Sequence, residues 1–373
     1  MKQEVRRVQD EEDAGAKGLR MWLFLLLLGV MPYAAAWGQE ASEQEVVRQE
    51  ASEYAESHSK GKLLMWLDHL FDKLSVSKSD TLYAVRNNYR FSIKLRMGIS
   101  VGIFGFDWKQ DGERQEYILN SAPVFKLGAN FSYRNLTIGF QRDVERLFKG
   151  KQTNNAEFGA SLYGTMLGGD YFYSSSNRYT IRSEQDKEWH LRVSCFRSRR
   201  LQANGYWVLN HHRFSYPAVF TQSYRQKRSC GSVVLGLSLH AEQLELDTDA
   251  LPDELVARLD ASEYAREINY RSLNIGVGYA YNWVLGRRWM LHASMLPTVS
   301  TFKRARLKFP EHTEHLSVDK VNVGGIARLG VLWDRSRNFA GFTTVINMNN
   351  LGHRPVDISS FYVRNRVFYG VRF

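Results

Sequence analysis

The final fourteen residues, SFYVRNRVFYGVRF from Ser360 to Phe373, divide by parity into two sets. Phe361, Val363, Asn365, Val367, Tyr369, Val371 and Phe373 fall on one side of an extended chain. Tyr362, Arg364, Arg366, Phe368, Gly370 and Arg372 fall on the other. Successive side chains of a strand point to opposite faces, so one face here is apolar and the other basic. That pattern suits a closed barrel whose strands separate hydrocarbon from a polar lumen. Arginine on the lipid face at mid-bilayer costs about 2–4 kcal/mol, so Arg364, Arg366 and Arg372 are assigned inward and Phe361, Val363, Val367, Tyr369 and Val371 outward.

The other end of the chain argues for export. Lys17 and Arg20 precede an apolar run from Met21 to Met31, followed by Ala34, Ala35 and Ala36, the layout of a cleaved secretory signal. A membrane-spanning helix needs about twenty apolar residues, and this run is far shorter. Residues 1–38 are therefore read as a signal peptide, with cleavage suited after Ala36 or Gly38. No later stretch is long and apolar enough for a helical span, and mean hydropathy is negative. A helical membrane protein is excluded; a barrel is not, because alternating strands average out in such a measure. Residues 39–79 form a short periplasmic arm, rich in Glu, Gln and Ser up to residue 59. Leu63, Trp66, Leu67, Leu70, Phe71 and Leu74 then recur at helical spacing, which predicts an amphipathic helix over 60–74.

From Asp80 to Phe373 the grammar is that of antiparallel strands. Phe125, Leu127, Ala129, Phe131 and Tyr133 alternate with polar or small residues, and Arg134-Asn135 turns the chain into Leu136, Ile138 and Phe140. Leu273, Ile275, Val277, Tyr279, Tyr281 and Trp283 repeat the pattern before a turn at Gly286, as do Val321 to Trp333 before a turn at Arg335 to Asn338. Thirteen candidate strands result, near 90–108, 116–133, 135–142, 155–164, 166–173, 189–197, 201–210, 226–246, 267–284, 287–300, 320–334, 338–349 and 360–373. Bacterial barrels close with an even number. The expectation is an all-β, antiparallel transmembrane outer-membrane barrel of about twelve strands, within about ten to fourteen. The acidic stretch Glu242 to Glu263 is the expected long external loop.

Charge and cysteine content narrow the chemistry. Residues 1–80 hold ten basic and fourteen acidic side chains, so residues 81–373 hold 50 − 10 = 40 against 39 − 14 = 25, a surplus of fifteen. In an exported chain that surplus suits phosphate, carboxylate or lipopolysaccharide groups as neighbours, not nucleic acid. Cys195 and Cys230 are assigned to opposite strand faces and expected to stay unpaired. No CxxC or HxxxH spacing points to a metal, and no cofactor is implied.

One segment breaks the alternation. His211 to Ser232, HHRFSYPAVFTQSYRQKRSCGS and preceded by Asn210, carries Pro217, which cannot donate to a ladder, and concentrates Arg213, Arg225, Lys227 and Arg228. This block resembles the signature of an uncharacterised outer-membrane family of Gram-negative bacteria, domain-of-unknown-function family 4421. YTIRS at Tyr179, GYAYNWV at Gly278 and ARLGVLW at Ala327 are similar to it in order and spacing. The resemblance implies an exported barrel and supplies no activity. The terminal aromatic Phe373 likewise resembles the strand by which such barrels are recognised for assembly, so barrel-assembly machinery and outer-membrane lipid are the expected partners.

Three functions remain open. The first is a narrow channel or binder for an anionic or amphipathic solute, with Arg213, Tyr216, Lys227, Arg228, Arg328, Arg364, Arg366 and Arg372 lining the lumen. The second is a plugged structural or assembly barrel whose arginines pair with lumen carboxylates such as Asp334. The third, an envelope-lipid hydrolase, has weaker support: His211, His212 and Ser215 are near in sequence but lack a nucleophile elbow. The expectation is a protein that is not an enzyme.

Overall fold

The computed structural model describes residue 65 and residues 79–110, 113–149, 155–183, 190–252, 265–309, 311–317, 322–353 and 356–373. The expected signal peptide and nearly all of the arm lie outside these residues. The strands in chain order begin with β1 (Ala84–Arg86), β2 (Phe91–Gln110), β3 (Glu113–Ser121), β4 (Val124–Tyr133), β5 (Leu136–Asp143) and β6 (Ala156–Tyr163). Next come β7 (Leu167–Ser176), β8 (Tyr179–Ser183), β9 (His190–Val193), β10 (Phe196–Val208), β11 (Tyr224–Gln226) and β12 (Cys230–Leu246). The last six are β13 (Glu267–Leu285), β14 (Trp289–Lys308), β15 (Thr313–Ser317), β16 (Val323–Arg335), β17 (Asn338–His353) and β18 (Val356–Arg372).

Twelve of them, in the order β2-β4-β5-β6-β7-β10-β12-β13-β14-β16-β17-β18, form one antiparallel sheet, and β18 pairs back onto β2 from Asp357↔Asp107 to Arg372↔Ser92. The sheet is thereby closed. Closure satisfies every ladder without an edge, the condition for strands in hydrocarbon. Parity holds around the ring: Val367 is 53% exposed and Tyr369 50%, whereas Arg364 and Arg372 are 5% and 2% exposed. Leu95, Phe131, Val277, Met295 and Leu329 extend the apolar exterior. In β14 the partners change from Ser300 to Phe302 across Leu273/Asn274, so Thr301 is an extra residue at a bulge. The bulge moves the outward set from Val299 to Phe302.

Connections differ sharply between the two ends. At one end Arg134, Ser336 and Gly286 make tight turns with φ of 49°, 58° and 73°; at the other the chain leaves the barrel for long excursions. One excursion explains the surplus candidate strand. Among the described residues β9 pairs only with β8, which pairs with β3 beyond the ring, so the expected strand 189–197 is not one stave: its part in β9 lies outside the ring, while Phe196 and Arg197 open β10. The candidate 116–133 is two strands, interrupted at Ala122-Pro123. The acidic stretch also begins later than expected: β12 continues through Glu242 to Leu246, with Glu242 buried.

Cys195 and Cys230 are both free, but not because they face opposite sides. Each packs against an interior apolar cluster. The Cys195 carbonyl accepts from Asp247 N just past the far end of β12, which Cys230 begins. The length of that strand, roughly 50 Å at about 3.3 Å per residue, far exceeds the ~7 Å Cα limit for a bridge.

Candidate functional site

Residues 209–229, the one long connection at the short-turn end, fold back into the barrel. Tyr216 precedes a single helical turn, α1 (Pro217–Phe220), with Pro217 in its first turn, where a missing N–H costs nothing. Phe214, Tyr216, Ala218, Val219 and Tyr224 are all buried, packed against Tyr163, Tyr206, Leu296, Met290 and Phe339 from the staves. The segment before the barrel fastens this plug: β1 pairs with β11, Asp80 N donates to the His212 carbonyl at 2.7 Å, and Asn87 Nδ2 donates to the Gln222 carbonyl at 2.7 Å. Lys94 of β2 fastens it from the wall, its Nζ donating to Gln222 Oε1 at 2.6 Å and to the Phe220 carbonyl at 3.3 Å.

The eight residues expected in the lumen divide into two groups. Arg213, Lys227 and Arg228 are exposed at the short-turn mouth. Arg213 and Arg228 lie over the Tyr83 ring at 5.0 and 5.8 Å, Arg213 Nε is 3.8 Å from Asp80, and Lys227 Nζ donates to the Thr81 carbonyl. Their expected lumen position is therefore corrected: the plug enters by its aromatic middle and leaves its charged flanks in solvent. Tyr216, Arg328, Arg364, Arg366 and Arg372 are inside. Arg328 Nη2 donates to Asp170 at 2.7 Å and to Tyr206, while Nη1 donates to Tyr163 at 2.9 Å, and its guanidinium lies 5.0 Å from the Phe220 ring of the plug. Arg372 makes a two-pronged contact with Asp334 at 2.7 and 3.1 Å. Asp334 thus pairs with a stave arginine, not with an arginine of the plug. Arg366 Nη2 meets Glu157 at 2.8 Å, a carboxylate shared with Lys126 at 2.7 Å.

Several inward residues escaped the sequence reading. Lys94 and Arg96 alternate with Ile93, Leu95 and Met97, so the parity that placed Arg364 inward marks them as well. Arg200 and Glu242 pair at 2.6 Å, with His240 Nε2 3.1 Å from the same carboxyl group. A third constellation joins three buried or half-buried polar groups. His292 Nδ1 lies 2.7 Å from Asn282 Oδ1, and its Nε2 lies 3.1 Å from Ser294 Oγ. Asn282 Nδ2 donates to the Ser215 carbonyl at 3.0 Å, which turns its oxygen toward His292. That fixes the proton on Nδ1 and leaves Nε2 to accept from Ser294, the tautomer a nucleophile–base pair needs. The Tyr216 and Phe220 rings cover His292 at 5.7 and 5.2 Å. The histidines suggested by sequence make no such pair with Ser215: the His211 and His212 rings lie 4.2 Å apart, tilted by 36°, and Ser215 Oγ has no partner among the described residues. No group of three His, Cys, Asp or Glu among the described residues is placed to hold a metal ion.

Closed ring and outward apolar face together define a transmembrane β-barrel, and residues 214–224 of its own chain pack inside it. The chain belongs to the family described as "Domain of unknown function (DUF4421)", whose model matches residues 78–373. None of the curated proteins matches it significantly. Among solved structures it is similar to the outer membrane protease OmpT from Escherichia coli, at 8% identity and TM-score 0.38, over 76% of this chain and 97% of that one. It is also similar to the translocator domain of the autotransporter NalP from Neisseria meningitidis, at 13% identity and TM-score 0.31, over 87% and 98% of the two chains. For the outer membrane protein OprG from Pseudomonas aeruginosa the values are 7%, 0.29, 78% and 99%. No functional residue is carried over from them.

Proposed function

We propose that this protein is an outer-membrane barrel, exported through a cleaved signal peptide, which holds an anionic solute in a lumen stoppered at the periplasmic end by its own chain. Outer-membrane barrels have short periplasmic turns and longer external loops, which assigns the tight-turn end, and so the plug, to the periplasm. The observation that carries the reading is the plug itself: Lys94 and Arg328, both wall residues, grip Phe220 and Gln222 inside the ring. A plug held by a few polar contacts and aromatic packing is a gate, and the basic wall above it selects for negative charge. Lipopolysaccharide, phospholipid and the barrel-assembly machinery are the partners this reading implies. Planar-bilayer recording tests it. The intact protein is expected to conduct at background, and replacing residues 214–224 by a glycine-serine linker is expected to give an anion-selective pore. Background conductance after replacement would mean a lumen filled throughout, hence a scaffold barrel with a protein partner.

A second reading rests on Ser294, His292 and Asn282. With residues 214–224 withdrawn, Asn282 Nδ2 keeps Gln226 Oε1 at 3.3 Å as an acceptor, and the three would form a nucleophile, base and orienting amide for ester hydrolysis of an envelope lipid. Labelled phospholipid tests this: turnover by the plug-replaced protein, lost in Ser294→Ala, supports it, and absence of turnover removes it.

A further inference from the structure

The lumen carries more cations than its carboxylates neutralise, and the surplus faces one cavity. That cavity, of about 120 Å³, is floored by Phe220 and Gln222 of the plug and walled by Lys94, Arg96, Arg364 and Arg366. Glu157 is already taken up by Lys126, Arg366, Ser100 and Tyr362. Asp170 is taken up by Arg328, Tyr163 and Asn204. Among the described residues, Arg96 and Arg364 have no carboxylate at ion-pair distance, and Lys94 has only neutral oxygens of the plug. Arg364 lies 3.7 Å above the Phe172 ring instead. The Nε atoms of Arg96, Arg364 and Arg366 are buried without a hydrogen-bond partner. Charges buried in this way are costly unless a counter-ion joins them.

We infer that this cavity is a binding site for a small anion bearing a phosphate or carboxylate group. Arg96, Arg364 and Arg366 offer forked donors that match such groups in pairs, and Lys94 adds a point charge from the wall. A cavity of about 120 Å³ has room for one phosphate or a short carboxylate. Lys94 belongs at once to the site and to the grip on the plug, so an anion that draws its ammonium group away loosens the stopper. This inference rests on the reading of the lumen as a stoppered solute chamber.

Gly159 supplies a test that leaves every charge in place. It lines the cavity, and a Cβ there would meet only the Tyr171 carbonyl, at 3.7 Å, so Gly159→Leu fills the space. The refolded full chain in detergent is titrated calorimetrically with inorganic phosphate and, separately, with acetate. At least one of the two is expected to bind, with affinity reduced about tenfold or more by Arg364→Gln and also by Gly159→Leu, and unchanged by Arg197→Gln on the exposed surface. Binding that is insensitive to both cavity variants overturns the site, as does absence of binding by either anion up to about 10 mM. Displacement of bound phosphate by a lysophospholipid would overturn the free-anion assignment in favour of a lipid headgroup. The titration reads equilibrium binding with the plug in place, so its failure leaves the conductance test of the gate standing, and failure of that test leaves the titration standing.

Discussion

Two basic clusters of this barrel, one exposed and one within the ring, differ in nearly every physical respect. At the mouth, Arg213, Lys227 and Arg228 stand in solvent around Tyr83 and Asp80. In the lumen, Arg96, Arg328, Arg364 and Arg366 are inside the ring, where each neutralising carboxylate is a specific side chain of another stave. A charge in water loses little when its partner goes, because solvent replaces the partner. A charge in the lumen has no such reservoir. Density of arginine in the sequence therefore says little about a site; the side of the strand ladder on which each one falls says much more.

The largest expected difference concerns removal of the partners. Asp170→Asn leaves Arg328 buried against Tyr163 and Tyr206 without its carboxylate, and is expected to cost about 3–5 kcal/mol, read by urea unfolding from lipid vesicles. Asp80→Asn removes the partner of Arg213 at the mouth and is expected to cost below about 1 kcal/mol. Equal losses would erase the distinction between the clusters.

Next in size is the lipid face. Val367→Arg sets a charge on the outside of β18 and is expected to cost about 2–4 kcal/mol of folding into vesicles. Arg366→Val, one position away and inward, leaves Glu157 its contact with Lys126 and is expected to cost less. A reversed order would mean that the parity is wrong. Smaller still, Arg228→Gln and Lys227→Gln are expected to shift stability by no more than about 0.5 kcal/mol.

The smallest effect concerns the thiols. Burial pushes the Cys195 thiol up to about 11, so it holds little thiolate at pH 8, and a maleimide is expected to reach Cys230 first. Non-reducing and reducing gels should give the same mobility, and a shift on reduction would contradict the separation of the two cysteines along β12.

Much of this fold is written in alternation. The C-terminal strand and the Arg134-Asn135 and Gly286 turns follow from period-two patterns and turn chemistry, because lipid outside and polar groups inside impose one rule on every stave, whereas the count of twelve needed the even-number rule to correct thirteen candidates. The rule fails where the chain leaves the membrane. Residues 190–193 alternate as a stave does yet pair with β8 beyond the ring, since a strand reads alike whether its apolar face meets lipid or a neighbouring loop. The plug is the harder case. Its polarity announces an exception, but only three dimensions show that Phe214, Tyr216 and Val219 enter while Arg213 and Arg228 stay out. Lys94 and Arg96 were legible, lying at inward parity among Ile93, Leu95 and Met97. The Ser294–His292–Asn282 set was not, because Asn282 belongs to the neighbouring strand and the pairing Asn282↔His292 depends on register.

The central claim is that the lumen cluster is short of negative charge and a small anion supplies it. Urea unfolding of the wild type and of Arg364→Met, each across a phosphate titration, tests this most directly. The wild type is expected to gain about 2.7 kcal/mol when phosphate reaches a hundredfold excess over its dissociation constant. Arg364→Met is expected to be the more stable of the two without phosphate and to gain no more than about 1.4 kcal/mol over the same phosphate range. Parallel phosphate curves for the two proteins, or a wild type indifferent to phosphate and to acetate, would contradict it.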